Sequence, residues 1–329
     1  MAETAAHLVD RVIPEVSVRQ WVLSVPFALR YRLAYDKALV RDVLQIFARA
    51  VFGSLRRRAR DTEEIRDSQC GAVTFVQRFG SSVNCHLHFH MLALDGVYAA
   101  GVDPHPRFHT LPAPDDAEVV AVAGRIAGRV GRLLERRGLG ADADPDQADS
   151  LARDEPVLAS LVGASVAGRI ATGPNAGQRV RMAGIEIEDG YREAWTGTRC
   201  ANVAGFSLHA NVAVRAQDRR GLERLCRYMG RGPLASERLT RRRDGELAYR
   251  LKRPWSNSAT HVIFDPLELL EKLAALVPPP RFHMVRYHGV LAPAAKWRSQ
   301  IVPAAPVTFN IMWPKRPRYG LTGCGQFMV

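Results

Sequence analysis

Between Asp36 and about Arg60, apolar residues fall at Leu39, Val43, Ile46, Phe47 and Ala50. That is the three-and-four spacing of one helix face. Asp36 is a suitable N-cap, and the stretch ends in the basic run Arg56-Arg57-Arg58-Ala59-Arg60. A second stripe, Val119, Val122, Ile126, Val130 and Leu133, predicts a helix over 115–138, with Arg125, Arg129, Arg132 and Arg136 on its other side. Shorter helices are predicted over 150–162, 218–229 and 266–277. Alternating or β-branched runs predict strands at 17–25, 70–79, 83–94, 203–214, 236–241, 246–252, 260–264 and 282–288. Asp95-Gly96 and Asp244-Gly245 read as hairpin turns. Residues 163–200 show no clear period. The opening order of strand, helix, strand, strand indicates an α+β fold on an antiparallel sheet. A first part of the core is expected at 1–114, a helical insertion at 115–199 and a second part at 200–297. The tail, 298–329, is proline-rich and aperiodic.

One strand carries candidate chemistry. Val83-Asn84-Cys85-His86-Leu87-His88-Phe89-His90-Met91 puts three of the chain's 10 histidines at alternate positions. Alternate strand residues share a face, about 6.6 Å apart at each step. Three imidazoles side by side suit a cation better than three unrelated core histidines do. If the substrate is a phosphate, a hard ion such as Mg2+ or Mn2+ fits best.

Charge narrows the partner. The net charge is +13, and only five of the 46 basic residues are lysines, so 41 are arginines. Arginine's planar fork grips two phosphate oxygens at once, which points to nucleic acid. GC-rich coding also inflates arginine, so charge alone is not decisive. The segment Tyr249-Arg250-Leu251-Lys252-Arg253-Pro254-Trp255 interleaves aromatics and cations, as single-strand binders do. A solvated amphipathic strand is an equal reading of it. His209 and Asn211 share a strand face and read as structural. The five cysteines are scattered without metal or disulfide spacing. No apolar run is long enough to span a membrane and no signal peptide is visible, so a cytoplasmic protein is expected.

These segments together resemble a known family. The His-hydrophobic-His strand, followed later by a helix carrying a tyrosine, is similar to the HUH nuclease pattern. Val18-Arg19-Gln20-Trp21, His88-Phe89-His90-Met91, Leu225-Cys226-Arg227-Tyr228-Met229-Gly230-Arg231-Gly232-Pro233 and Val285-Arg286-Tyr287-His288-Gly289 resemble the rolling-circle transposases of the IS ninety-one and ISCR families. The resemblance covers about residues 5–297. It implies a ferredoxin-like or RRM-like HUH core. His88 and His90 match the metal pair, with His86 as third ligand or bystander, and Tyr228 matches the nucleophile. Where two-tyrosine members carry a second tyrosine, this chain has Arg224, so it resembles the single-tyrosine branch. Arg224 then becomes a candidate for stabilising the phenolate or phosphate.

The implied reaction is cleavage and rejoining of single-stranded DNA at element ends through a 5′-phosphotyrosine, aided by Mg2+ or Mn2+. Tyr249 and Tyr287 are rival nucleophiles. The N-terminal cysteine region usual in the family is missing and the tail differs, so a truncated or frameshifted copy is expected. Rival functions are a relaxase or replication initiator with the same chemistry, a DNA-binding remnant without turnover, and a three-histidine zinc hydrolase.

Overall fold

A computed structural model describes residues 2–101, 105–140, 149–183, 197–252, 254–255 and 258–304. It is a mixed α+β fold in which, among the described residues, every strand pairing is antiparallel. The central six-stranded sheet has the order β13-β3-β4-β1-β9-β8. Its strands are β1 (Val18–Ser24), β3 (Gly71–Phe79), β4 (Cys85–Leu94), β8 (Cys200–Val203), β9 (Phe206–Val214) and β13 (Val285–Gly289). β3, β4 and most of β1 are buried almost along their whole length, because both of their faces are covered.

One face lies under two long helices, α3 (Lys37–Glu63) and α4 (Asp116–Arg136). Trp21, Leu23, Leu87, Phe89 and Met91 point into them and meet Val43, Phe47, Val122 and Ile126. Both helices start as their sequences suggest. The Asp36 carboxylate accepts from Leu39 N–H, and the Asp115 carboxylate accepts from Glu118 N–H. Within the stretch 115–199, then, α4 completes the main core. α5 (Ser150–Asp154) and α6 (Pro156–Val166) instead pack near a four-stranded sheet, β10-β11-β12-β7.

The opposite face of the central sheet meets α1 (Ala2–Arg11) and α7 (Arg219–Met229). Leu8, Val12, Leu222, Cys226 and Met229 close over Val18, Val73, Phe75 and Leu92. The smaller sheet holds β7 (Arg181–Ala183), β10 (Leu239–Arg241), β11 (Leu247–Arg250) and β12 (His261–Phe264), backed by α8 (Pro266–Leu276). β10 and β11 form the hairpin expected at Asp244-Gly245, where Gly245 takes a φ of +89°.

The other Asp-Gly pair is not a hairpin turn. β4 pairs with β1 and β3, whereas β5 (Gly96–Ala100) pairs with β2 (Ser68–Gln69) and β6 (Pro106–Thr110). The chain passes there from one sheet to another. Asp95 is buried and accepts two hydrogen bonds from Arg19, at 3.1 and 2.7 Å. A Cβ on Gly96 would lie 2.2 Å from the His109 carbonyl oxygen, so close strand approach requires glycine there. Two helices have no counterpart in the periodic pattern. α1 precedes the first strand, and α2 (Phe27–Tyr35) follows Pro26 directly. Among the described residues, no helix is long and apolar enough to cross a membrane.

Candidate active site

The site is built on β4. His86, His88 and His90 alternate along it on the face away from α3 and α4. Their rings form a ladder, with centroids 5.2 Å apart for His86–His88 and 4.9 Å apart for His88–His90. The residues between them, Leu87 and Phe89, are fully buried in the main core and fix the strand's facing.

Burial disfavours the charged imidazolium in all three. It lowers His86 to about 2, His88 to about 4 and His90 well below its ordinary value. Neighbouring positive charge adds to this, from Arg231 at His88 and His90 and from Arg30 at His86 and His88. The rings are therefore neutral at pH 7, the form in which imidazole offers a lone pair.

Hydrogen bonds orient two of them. Nδ1 of His88 lies 2.9 Å from the His86 carbonyl oxygen, so it carries the proton and Nε2 keeps the lone pair. Nδ1 of His90 lies 3.0 Å from the side-chain amide of Gln20. The amide atom facing it is Gln20 Nε2, a donor, so Nδ1 accepts and the ring proton sits on His90 Nε2; a half-turn of the amide would bring its oxygen to Nδ1 and free the His90 Nε2 lone pair. Nε2 of His90 and of His86 are both buried without a hydrogen-bond partner.

Gln77 completes this corner. It stands opposite His88 on β3, its Nε2 donates to the Met229 carbonyl at 2.6 Å, and its Oε1 is buried without a partner. Gln77 thus ties the end of the tyrosine helix to the histidine row. Among the described residues, no group of three or more His, Cys, Asp or Glu is placed to hold a metal ion. His86 Nε2, His90 Nε2 and Gln77 Oε1 are the buried side-chain atoms on these two strands that lack a hydrogen-bond partner near the histidine row.

α7 brings Tyr228 over the row. Asp218 caps this helix through Gly221 N–H at 2.7 Å. Leu222, Cys226 and Met229 seat it on the sheet. The Tyr228 ring meets His90 edge to face, with centroids 5.9 Å apart. Two cations lie against the same ring, the Arg231 guanidinium at 4.5 Å and Lys252 Nζ at 4.6 Å. Beside it, Arg231, Arg238, Lys252 and Ser81 line a small recess.

Other expected residues fall differently. Arg224 is exposed one turn before Tyr228 on α7, and the cations against the phenol ring are Arg231 and Lys252 instead. Tyr249 is fully buried, and its hydroxyl accepts from Arg238 Nη2 at 2.6 Å. It is therefore not available to stack on bases. Strand alternation explains this, since Tyr249 and Leu251 point inward while Arg250 and Lys252 are exposed. Trp255 is half-buried against the smaller sheet, and Arg253 lies outside the described residues. His209 sits across β1 from His90, opposite Val22, and Asn211 accepts from Arg199 at 2.9 Å.

Sequence reasoning missed Gln20, Gln77 and Arg231. The two glutamines lie inside strands read only as strands, and only cross-strand register brings them to the histidines. Arg231 follows the helix in a loop without period; its one sequence signal was its place three residues after the candidate nucleophile.

The chain matches a family model described as "Putative transposase" over residues 71–299. That span contains the histidine row and Tyr228. No curated protein and no solved structure matches it.

Proposed function

Because this chain belongs to that transposase family, we propose that it cuts and rejoins single strands of DNA through Tyr228, with a divalent cation, Mg2+ or Mn2+, held beside it. The finer assignment is to the HUH-type, rolling-circle class that the sequence resembles. One observation carries it: the Tyr228 ring touches His90, itself paired with His88 in a row of neutral imidazoles.

The residues that would hold the cation are His88 and His90 through Nε2, with Gln77 Oε1, opposite His88 on β3, as an oxygen donor. When bound, the cation would withdraw charge from the scissile phosphate. The protein's own groups do the rest. Tyr228 Oη attacks phosphorus and its proton passes to water. The P–O3′ bond breaks and the leaving 3′ oxygen takes up a proton, so the 5′ end stays on the tyrosine as a phosphodiester. Attack by another 3′ hydroxyl reverses the step and joins a new strand. No ATP is required, since each step exchanges one phosphodiester for another.

Arg231 and Lys252 favour developing negative charge on the phenol oxygen and on the phosphate. Arg224, Arg250, Arg253 and Trp255 are assigned to the path of the incoming strand, where the first three would contact phosphates. Arg231→Gln is expected to lower the single-turnover cleavage rate about 10- to 100-fold. Affinity for the same oligonucleotide, read by fluorescence anisotropy, should fall much less. Equal losses in both would make Arg231 a binding contact only.

The direct test incubates the protein with labelled single-stranded oligonucleotides carrying candidate element ends, with Mg2+ or Mn2+. A covalent protein–DNA species on a denaturing gel supports the proposal. Binding without an adduct, on DNA that an active relative cleaves, would leave a DNA-binding protein without turnover.

A further inference from the structure

The helical layer on the far side of the sheet from Tyr228 carries charge that this chemistry leaves unused. Arg49 on α3 and Arg129, Arg132 and Arg136 on α4 line one open cleft, with Ile46 and Glu135. Arg57 and Arg125 extend the same surface. Burial first, then Arg57 and Arg129, push the Arg125 guanidinium toward its neutral form, with Glu118 opposing them in part, so the three cations lie near one another. Nη1 of Arg125 is buried and has no hydrogen-bond partner.

None of these six arginines forms an ion pair among the described residues. The acids nearby are taken by other residues of the same layer. Arg58 holds Glu118 at 3.2 Å, and Arg137 holds Asp36 and Asp42. The carboxylate left in the cleft is that of Glu135. Like charges packed together in excess of their counter-charge oppose folding. A bound polyanion relieves that repulsion.

Shape and composition narrow the ligand. Arg125, Arg129, Arg132 and Arg136 recur every three or four residues, so they form a stripe along one helix face. The eleven helical steps from Arg125 to Arg136 extend about 16 Å, the span of several backbone phosphates rather than one. Among the described residues no aromatic side chain lines the cleft, which leaves unpaired bases no stacking partner from them. A duplex, whose outer surface offers phosphates and hides its bases, matches it.

We propose that the α3–α4 cleft is a second DNA site, which holds duplex DNA by its phosphates without reading sequence. It rests on the transposase reading of the chain. The duplex lies on one side of the sheet while Tyr228 works on a strand at the other, so one molecule grips two segments of DNA.

The test uses the whole chain and a short labelled duplex of arbitrary sequence, read by fluorescence anisotropy across salt. The variant Arg49→Gln/Arg129→Gln/Arg132→Gln/Arg136→Gln changes exposed side chains only. It should bind at least about 10-fold more weakly at about 0.15 M salt. Its slope of log affinity against log salt should shrink by about 3.6, near 0.9 for each phosphate that is no longer neutralised. Adduct formation on single-stranded oligonucleotide should be unchanged.

On the unaltered protein, phenylglyoxal labelling read by mass spectrometry should show Arg129 and Arg132 protected by the duplex. Unchanged duplex affinity and salt slope in the folded variant would overturn the site. So would protection confined to Arg231 and Arg250. Loss of duplex binding in the variant, from a parent that forms no adduct, would uphold the cleft and count against the tyrosine chemistry alone.

Discussion

Tyr228→Phe is expected to abolish the covalent protein–DNA species and to lower strand cleavage at least about 1,000-fold, on the order of 4 kcal/mol of transition-state stabilisation. The substitution removes one oxygen and little else. The ring stays, and with it the edge-to-face contact with His90 and the stacking of Arg231 and Lys252. Stability by chemical denaturation should change by less than about 1 kcal/mol, and oligonucleotide affinity by only a few-fold. A loss of rate without loss of fold or binding is the mark of a nucleophile. The rivals are poorly placed. Tyr249 is fully buried beneath Arg238. Tyr287 lies on the edge strand β13, opposite Val73, two strands from the histidines and with Arg298 over its ring at 5.8 Å. Strands two places apart are separated by about 9–10 Å. An adduct that survives in Tyr228→Phe and disappears in Tyr287→Phe would overturn the assignment.

The outline of this arrangement was legible from period alone. The stripes at Leu39–Ala50 and Val119–Leu133 mark the two long helices within a few residues, because each has one apolar face and an aspartate at its start. The histidine strand was legible because three imidazoles at alternate positions are visible whatever the strand pairs with. α2 was not, since its apolar and polar residues are spread around the helix and Phe27 is exposed. Asp95-Gly96 misled for a physical reason. The residue pair that favours a tight turn also serves a buried ion pair beside a close strand crossing, and only the partner, Arg19, tells the two apart. The site shows the same division. Residues on β4 and α7 could be picked by type and spacing. Gln20 and Gln77 could not, because their value depends on which histidine stands across the ladder. Tyr249 and Arg250 carry the converse lesson: a mixed aromatic and cationic string sorts by strand parity into a buried half and an exposed half.

The histidine row yields the other large effect. His88→Ala/His90→Ala should eliminate tight Mn2+ binding by the protein alone, measured by calorimetry or by the electron paramagnetic resonance of free Mn2+. It should also lower cleavage at least about 1,000-fold. Chelation of the parent should have the same effect on cleavage and be reversed by added Mn2+, whereas the variant should not recover. Both rings are already neutral from burial, so the cation competes with no proton at pH 7 and displaces no strong hydrogen bond at the partnerless Nε2 of His90. Truncating two side chains on this face also opens space, so circular dichroism must show the variant folded. Gln20→Leu supplies the graded control. It keeps both imidazoles but removes the amide 3.0 Å from His90 Nδ1 that sets the ring's tautomer and aim. Outer-shell losses of this kind weaken a metal about 10- to 100-fold. His86→Ala should cost less than either ligand, because its carbonyl, the group that holds His88 Nδ1, belongs to the backbone and remains. Equal Mn2+ binding by the parent and the folded double variant would remove the cation from His88 and His90 and, with it, the catalytic part played by this face of β4.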